Sequence, residues 1–585
     1  MSNKESWGSR IGLILAMAGN AVGLGNFLRF PVQAIQNGGG AFIIPYLVCF
    51  LLMGLPLLYV EWAMGRFGGK FNNHSTPFIL DSFDKRRFWK YIGVFGIFTN
   101  VAVAAYYCYL ESWTLSYVWH SVSGTFSGKT QAEIAEFFGN YVSLNTAEPI
   151  IFWVICLVFN TWILSKGLKG GVEKTAKIGM PLLILFGVIL AIKGITLQAG
   201  DNNAINDGTV GLNYLWTPDF TSIWNFKVWL AAAGQIFFTL SLGMGSIHCY
   251  ASYVKEQDDI ALNSQTAGWM NEFVEVVLGS SILIPIAIGY LGIDKVVEMT
   301  QTGGLGLGFK TLPYLFQQWG PMLGAIGGVM WLGLLFFAGV TSSLAMGTPW
   351  IGFLEDEFNW KRKNAAWSFG LVVFILGLQT VLFFNQGVFD EYDYWAGTVS
   401  LVVFAMIEII LFSWVFGIDK GWKEINMSAD IKVPLIYKFI IKFVTPVILL
   451  VVFIGSLESI WNTINHTDSK EQIAFANNPE KLIVQMDDIL SKDLVNIDKE
   501  IILNGTDIMN NAILSKDQKA SIFDYRTNKG LFEKYSATDF DKKTFIAETE
   551  KTIKYKNISR PFLLLIFGII SWMVYLANKK RKSIN

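Results

Sequence analysis

Runs of about twenty apolar residues, recurring along the whole chain, constrain this sequence more than any other feature. They fall near residues 11–36, 41–66, 88–122, 149–165, 176–197, 228–253, 262–290, 322–352, 366–384, 394–416, 434–457 and 561–577, twelve in all. Each matches the helix length that crosses a bilayer, and in hydrocarbon only a helix or a closed barrel satisfies its own backbone. Composition agrees: 52% hydrophobic residues, 16% charged and a mean hydropathy of +0.41 exclude an ordinary soluble domain. The predicted fold class is an all-α polytopic membrane protein with about 12 transmembrane helices. An even number of spans puts both termini on one side. Lys85, Arg86, Arg87 and Lys90, then Lys166, Lys169 and Lys174, then Lys361, Arg362 and Lys363, then Lys420 and Lys423, then Lys579 to Lys582 occupy alternate loops. The positive-inside rule makes those loops and both termini cytoplasmic. Net charge is zero, so the overall balance points to no nucleic acid or other polyionic partner. Cys49, Cys108, Cys156 and Cys249 all lie inside apolar runs without a CxxC pairing, which argues against disulfides or zinc. The first run has span length and no small-residue cleavage site, so it reads as a membrane helix rather than a removable signal.

Two of the runs contain what a membrane helix ordinarily avoids. Residues 19–31, GNAVGLGNFLRFP, place Gly23 and Gly25 beside Asn20, Asn26 and Arg29 at mid-span. Glycine weakens the helix, and the polar side chains are costly against lipid, so the segment faces protein or a water-filled cavity. The sixth run, QIFFTLSLGMG at 235–245, repeats the pattern with Thr239, Ser241, Gly243 and Gly245. The two breaks lie five spans apart and run in opposite directions, as two inverted five-helix repeats require. Helix-packing glycines would explain Gly but not the accompanying Asn and Thr. Paired broken spans point to a secondary transporter whose binding site lies at the breaks. In the third run Val103, Tyr106, Tyr107 and Glu111 put further polar groups at mid-depth, where each needs a partner.

GNAVGLGNFLRFP, QIFFTLSLGMG, FFAGVTSS at 336–343 and DYWAGT at 393–398 together resemble the neurotransmitter:sodium symporter family, and within it the bacterial leucine transporters. The resemblance covers residues 1–460, resumes at 560–585 and fails over 462–558. It implies a LeuT-like 5+5 inverted repeat with broken helices 1 and 6: helices 1–5 over 1–197, helices 6–10 over 228–416, helix 11 at 434–457 and helix 12 at 561–577. The implied activity is sodium-coupled symport of hydrophobic L-amino acids by alternating access. The substrate carboxylate is expected on the exposed N–H groups of Gly23, Leu24 and Gly25 with the Tyr107 hydroxyl, since a half-helix N-terminus favours an anion. The carbonyls of Ala21, Phe238 and Thr239 and the Ser241 hydroxyl suit the ammonium. The side chain would meet Val103, Phe238, Met244, Ser342 and Met346. The family pattern implies a first sodium site of Ala21, Asn26, Thr239, Asn271 and the substrate carboxylate, and a second of Gly19, Val22, Ala338, Thr341 and Ser342. It also implies an outer gate of Arg29 and Asp393 under Phe238, and an inner gate of Lys4, Trp7, Ser252, Tyr253 and Asp356. Lys4 replaces the family's arginine and loses its bidentate fork.

Departures from the pattern sharpen the expectation. Met244 and Met346 stand where leucine transporters carry Phe and Ile, and methionine adapts to ligands of different size. Glu275 lies one turn beyond Asn271, where chloride-dependent relatives have a small neutral residue; its carboxylate is expected to replace the anion, leaving no chloride requirement. His248, near the inner end of the sixth run, reads as structurally satisfied rather than as a proton carrier. The segment 462–558 is polar and sits between the last two runs, on the side opposite the termini. Leu482, Met486, Ile489, Leu494, Ile497 and Ile501 recur there at helical spacing, suggesting an amphipathic helix in an external subdomain. A gated channel and a non-transporting amino-acid receptor using that subdomain are the alternatives. No nucleophile–base set, phosphate loop or metal cluster is found, so an enzyme is not expected.

Overall fold

The computed structural model describes residues 5–84, 86, 88–300, 303–495, 497–505, 508–509 and 514–584. Lys4, Lys85 and Arg87 lie outside the described residues. Among the described residues the structure is helical, with no strand.

The first span is α1 (Arg10–Ala21), α2 (Leu24–Leu28) and α3 (Phe30–Gln36), with a 53° bend between its halves. The Ser9 side chain caps α1 by accepting the Gly12 amide, and the helix stops where Val22 and Gly23 turn extended. Unbroken helices follow: α4 (Gly40–Gly69), α5 (Trp89–Val122), α6 (Glu148–Ser165) and α7 (Leu168–Ile195). The sixth span is again two pieces, α8 (Phe226–Thr239) and α9 (Ser246–Ala251). Between them Ser241, Gly243 and Gly245 adopt left-handed φ of 54°, 66° and 89°. Gly243 is obligatory there, because a Cβ would lie 2.1 Å from the Leu401 carbonyl oxygen as well as straining the backbone. Then come α10 (Ile260–Leu291), α11 (Pro321–Phe358), α12 (Arg362–Leu382), α13 (Val388–Val415), α14 (Ile436–Asn465) and α15 (Lys542–Ser583). Among the described residues ten helices are long and apolar enough to span, and the bent first pair makes eleven; the sixth of the twelve runs read from sequence is present only as the short α8 and α9. α11 packs along α5 and also on α7 and α1, and Trp113 of α5 and Trp331 of α11 are fully buried. Wider π-turns open α10 at Phe273–Gly279 and α13 at Trp395–Val399, both beside the breaks.

The last helix begins at Lys542, well before the apolar run that marks it in the sequence. The polar segment is therefore no detached appendage: it returns to the membrane on a continuous helix. It contains helices Thr467–Asn477, Glu480–Lys492, Lys499–Asn504 and Lys516–Ser536. The single amphipathic helix expected over 482–501 is thus two helices, and the residues between them, Leu494 and Ile497, turn into a small core with Ile502, Ile508, Leu514 and Ile522. Two latches tie this subdomain to the bundle. Asp294 accepts the amides of Ile508 (2.6 Å) and Met509 (3.0 Å), and the Arg560 guanidinium grips the Glu391 carboxylate at 2.8 and 3.1 Å.

Candidate functional site

The two breaks face each other. The Ser241 hydroxyl donates to the Asn20 carbonyl at 3.0 Å, and the Ser246 hydroxyl to Asn20 Oδ1 at 3.1 Å. From α5, Asn100 Nδ2 holds the Met244 carbonyl at 2.6 Å, and from α4 the Glu61 carboxylate accepts the Gly243 amide at 2.7 Å. Each break thus has its freed backbone groups satisfied by side chains, which is what permits irregular chain at membrane depth.

Between them lies a cavity of about 30 Å³, lined among others by Ala21, Gly23, Gly25, Val103, Tyr107, Phe238, Thr239, Ser241, Met244, Ser342 and Met346. Leu24 adds its amide, which donates to the Tyr107 hydroxyl at 3.0 Å. The sequence-predicted pocket is therefore assembled in one place, with Asn20, Tyr106, Gly397 and Leu401 as further walls that the sequence reading did not assign. A volume near that of a single water means that the walls have closed on one another. The Gly23 amide is taken by Asn26 Oδ1 at 2.7 Å and the Leu24 amide by the Tyr107 hydroxyl, so two of the three N–H groups expected to meet an anion are engaged.

Thr239, Asn26 and Asn271, all buried, converge beside this cavity. Asn26 Nδ2 donates to Thr239 Oγ1 at 2.9 Å, to Asn271 Oδ1 at 2.8 Å and to Glu275 Oε2 at 2.8 Å. Glu275 also receives the Thr239 hydroxyl, Gln235 Nε2 at 2.8 Å and the Tyr46 hydroxyl at 3.2 Å. Tyr46 and Gln235 were missed from sequence: α4 and the start of the sixth break meet α10 only in the folded bundle. Their polar groups deep inside apolar runs were the available signal. Every side chain here offers an oxygen, the donor a hard monovalent cation prefers.

On the other flank, Ser342 Oγ lies 3.3 Å from the Gly19 carbonyl and 3.5 Å from that of Val22, while Thr341 Oγ1 bonds the Ala338 carbonyl at 3.2 Å. The Thr341 side chain also sits where a Cβ on Gly19 would go. The Ser342 hydroxyl thus reaches from α11 to two carbonyls at the end of α1, with Thr341 packed against Gly19 beside it.

The gates are arranged differently from the charge pairs expected. Arg29 and Asp393 make no ion pair; the Arg29 guanidinium lies over the Phe238 ring, 4.3 Å from its centroid, and Asp393 accepts the Tyr106 hydroxyl at 2.6 Å. At the opposite mouth Trp7 Nε1 donates to the Tyr250 carbonyl at 3.1 Å. Asp356 takes the His74 amide at 2.7 Å, and the His74 ring stacks on Tyr253 at 4.1 Å while its Nδ1 meets the Ser252 hydroxyl at 2.9 Å. The charge that ties the N-terminal segment down is Glu5, paired with Arg362 at 2.9 Å. His248 also departs from expectation: both ring nitrogens are buried without a hydrogen bond.

Comparison with known proteins decides the family. The model of the sodium:neurotransmitter symporter family matches residues 4–136 and 143–476. The chain belongs to that family. Its fold is the LeuT-like membrane fold, it is a multi-pass membrane protein, and it is a sodium-dependent transporter rather than an enzyme. An uncharacterized sodium-dependent transporter of Methanocaldococcus jannaschii is 31% identical over 459 residues, covering 76% of this chain and 89% of that protein. The sodium-dependent nutrient amino acid transporter 1 of Drosophila pseudoobscura pseudoobscura is 23% identical over 519 residues, 78% of this chain and 76% of that one. The crystal structure of MhsT in complex with L-phenylalanine superposes with a TM-score of 0.68 at 28% identity, covering 78% of this chain and all of MhsT. The family match stops inside the helix Thr467–Asn477, so the rest of the polar segment and α15 lie outside it.

Proposed function

We propose that this transporter carries hydrophobic L-amino acids inward with sodium, by alternating access, using two sodium sites and no chloride. The observation that carries the reading is the pocket itself: an amide and a phenol at the break of the first span, beside walls of Val103, Phe238, Met244 and Met346. The backbone and Tyr107 can hold a carboxylate, carbonyls can hold an ammonium, and none of Val103, Phe238, Met244 and Met346 can pair a charged or polar substituent. MhsT, bound to L-phenylalanine, supports the substrate class.

In this reading the substrate carboxylate completes the first sodium site with Ala21, Asn26, Thr239 and Asn271, which couples ion to substrate. Gly19, Val22, Ala338, Thr341 and Ser342 form the second. Glu275 supplies the negative charge that an anion supplies elsewhere, and its four side-chain donors support that role. The Lys and Arg distribution supports cytoplasmic termini and an external 462–558 segment. The repeats run over 1–197 and 228–416. Arg29, Phe238, Tyr106 and Asp393 shut the outer mouth; Trp7, Ser252, Tyr253 and Asp356 shut the inner one.

Uptake of labelled leucine into proteoliposomes under an imposed sodium gradient, with unlabelled competitors, tests this. Leu, Met, Phe and Trp are expected to compete within about 10- to 200-fold of one another, because a methylene in an apolar pocket is worth only about 1–3 kcal/mol. Binding without concentrative uptake would favour a receptor, and downhill flux alone a channel. Glutamate, lysine or glycine outcompeting every hydrophobic amino acid would overturn the pocket assignment.

A further inference from the structure

Beneath the break of the sixth span lies a second buried cluster, which neither the sodium sites nor the substrate pocket uses. His248 of α9 stands between Glu61 of α4 and Glu408 of α13. Its Nδ1 faces Glu61 Oε2 at 3.6 Å and its Nε2 faces Glu408 Oε1 at 3.4 Å. All three side chains are 0% exposed. Both ring nitrogens, Glu61 Oε2 and both Glu408 oxygens have no hydrogen-bond partner among the described residues. Glu61 Oε1 is occupied: it accepts the Gly243 amide, in the middle of the break and next to Met244 of the pocket.

Two carboxylates cannot both stay ionised so far from water without compensation, and an orphaned buried acceptor is costly. The compensation must come from within the cluster, because the surrounding elements have none to spare. On α4 Arg66 is held by Glu424, on α1 Arg10 by Asn263, on α11 Asp356 by the His74 amide, and on the helix Thr76–Asp81 Asp81 by Lys90. Cys249, beside His248, adds only a thiol. The compensating species must therefore be a small cation, and the geometry says which. One ligand atom from each of the three residues lies within 4.8 Å of the other two, close enough for a metal ion, which would take one imidazole nitrogen. Here the two nitrogens point at different carboxylates, an arrangement that shares protons.

We propose that Glu61, His248 and Glu408 form a proton-binding site whose occupancy is linked to the conformation of the sixth span. In the closed arrangement the Gly243 amide holds Glu61 as the carboxylate. An imidazolium there faces Glu61 through Nδ1 and Glu408 through Nε2, and Glu408 carries its own proton, so that the cluster is neutral with two protons. When α9 swings and the Gly243 amide leaves, Glu61 loses the donor that favours its charged form and one further proton enters from water. The protons come from and return to solvent, so no other reactant is needed. Because linkage is reciprocal, any ligand that closes the break expels that proton.

Sodium itself is the probe, so the test does not depend on which amino acid the pocket takes. The purified full chain in weak buffer with a pH-indicating dye is mixed with sodium or, as control, potassium. Sodium-specific proton release is expected, together with a sodium affinity that changes up to about tenfold per pH unit between about pH 5 and pH 8. His248→Leu and His248→Gln should both bind sodium with a flat pH profile and release nothing. Glu61→Gln, which removes the group that takes up the proton, should do likewise, which guards against one variant failing to fold. No proton release from the unaltered chain anywhere in that range would overturn the proposal without any variant. So would release that persists in both His248 variants, which would place the proton elsewhere, on Glu275 for instance. A transition metal carried stoichiometrically by the purified chain and lost on His248→Leu would show that the cluster is a metal site instead.

Discussion

Replacing Glu275 by serine should turn a chloride-independent transporter into a chloride-dependent one. The carboxylate receives Asn26, Thr239, Gln235 and Tyr46, all buried and all donating. Two of these, Asn26 and Thr239, are the proposed ligands of the first sodium ion. At a separation of about 5 Å and an effective dielectric constant of about 20, one negative charge favours the ion by about 3 kcal/mol. That is about a hundredfold in sodium affinity. Serine removes the charge and leaves a space edged by four donors, each costing about 1–3 kcal/mol if unpaired. A chloride entering that space would answer both losses. In gluconate medium Glu275→Ser should therefore show a sodium requirement raised about a hundredfold, and chloride should recover most of it. The assay is sodium-dependent leucine uptake in proteoliposomes, with the anion exchanged at fixed ionic strength. A Ser variant equally active in both anions, or an unaltered protein that loses uptake in gluconate, would refute the reasoning.

Asn271 bonds both Asn26 and Thr239, so Asn271→Leu should weaken sodium and substrate binding together, each by at least about tenfold; unchanged sodium dependence in binding assays would remove Asn271 from the site. A Cβ on Gly25 would lie 2.3 Å from Phe238 Cε1. Gly25→Ala should hold the ring off its seat at a cost of about 1–3 kcal/mol and shorten the residence time of bound leucine about 10- to 100-fold. An unaltered dissociation rate would show that Phe238 is not the lid.

Much of this was written in the chain because membranes restrict the choices. Apolar length marked the spans, and Gly beside Asn or Thr marked both breaks, since nothing else puts such residues at mid-depth. The oxygens of Asn26, Thr239, Asn271, Thr341 and Ser342 followed from resemblance and are brought together by the fold. Tyr46 and Gln235 were illegible because their roles depend on how α4 and α8 rotate against α10, which hydropathy does not encode. The early start of α15 was hidden for a related reason: a helix of Lys, Glu and Thr packed on protein carries no apolar signature. The gate contacts were misjudged because charge signs can be read in sequence, whereas the aromatic and hydroxyl groups that intervene between charges are placed only by packing.

The closure beside Arg29 has a practical side. A guanidinium lying on an aromatic ring and a phenol bonded to a carboxylate act over contact distances, whereas dissolved salt weakens interactions that reach beyond about 8 Å at 0.15 M and about 3 Å at 1 M. The 4.3 Å cation–π contact lies inside the screening length at 0.15 M but not at 1 M, so a lid latched in this way keeps its grip from dilute medium to physiological salt. Over that range a response to one particular ion reports that ion rather than the strength of the solution.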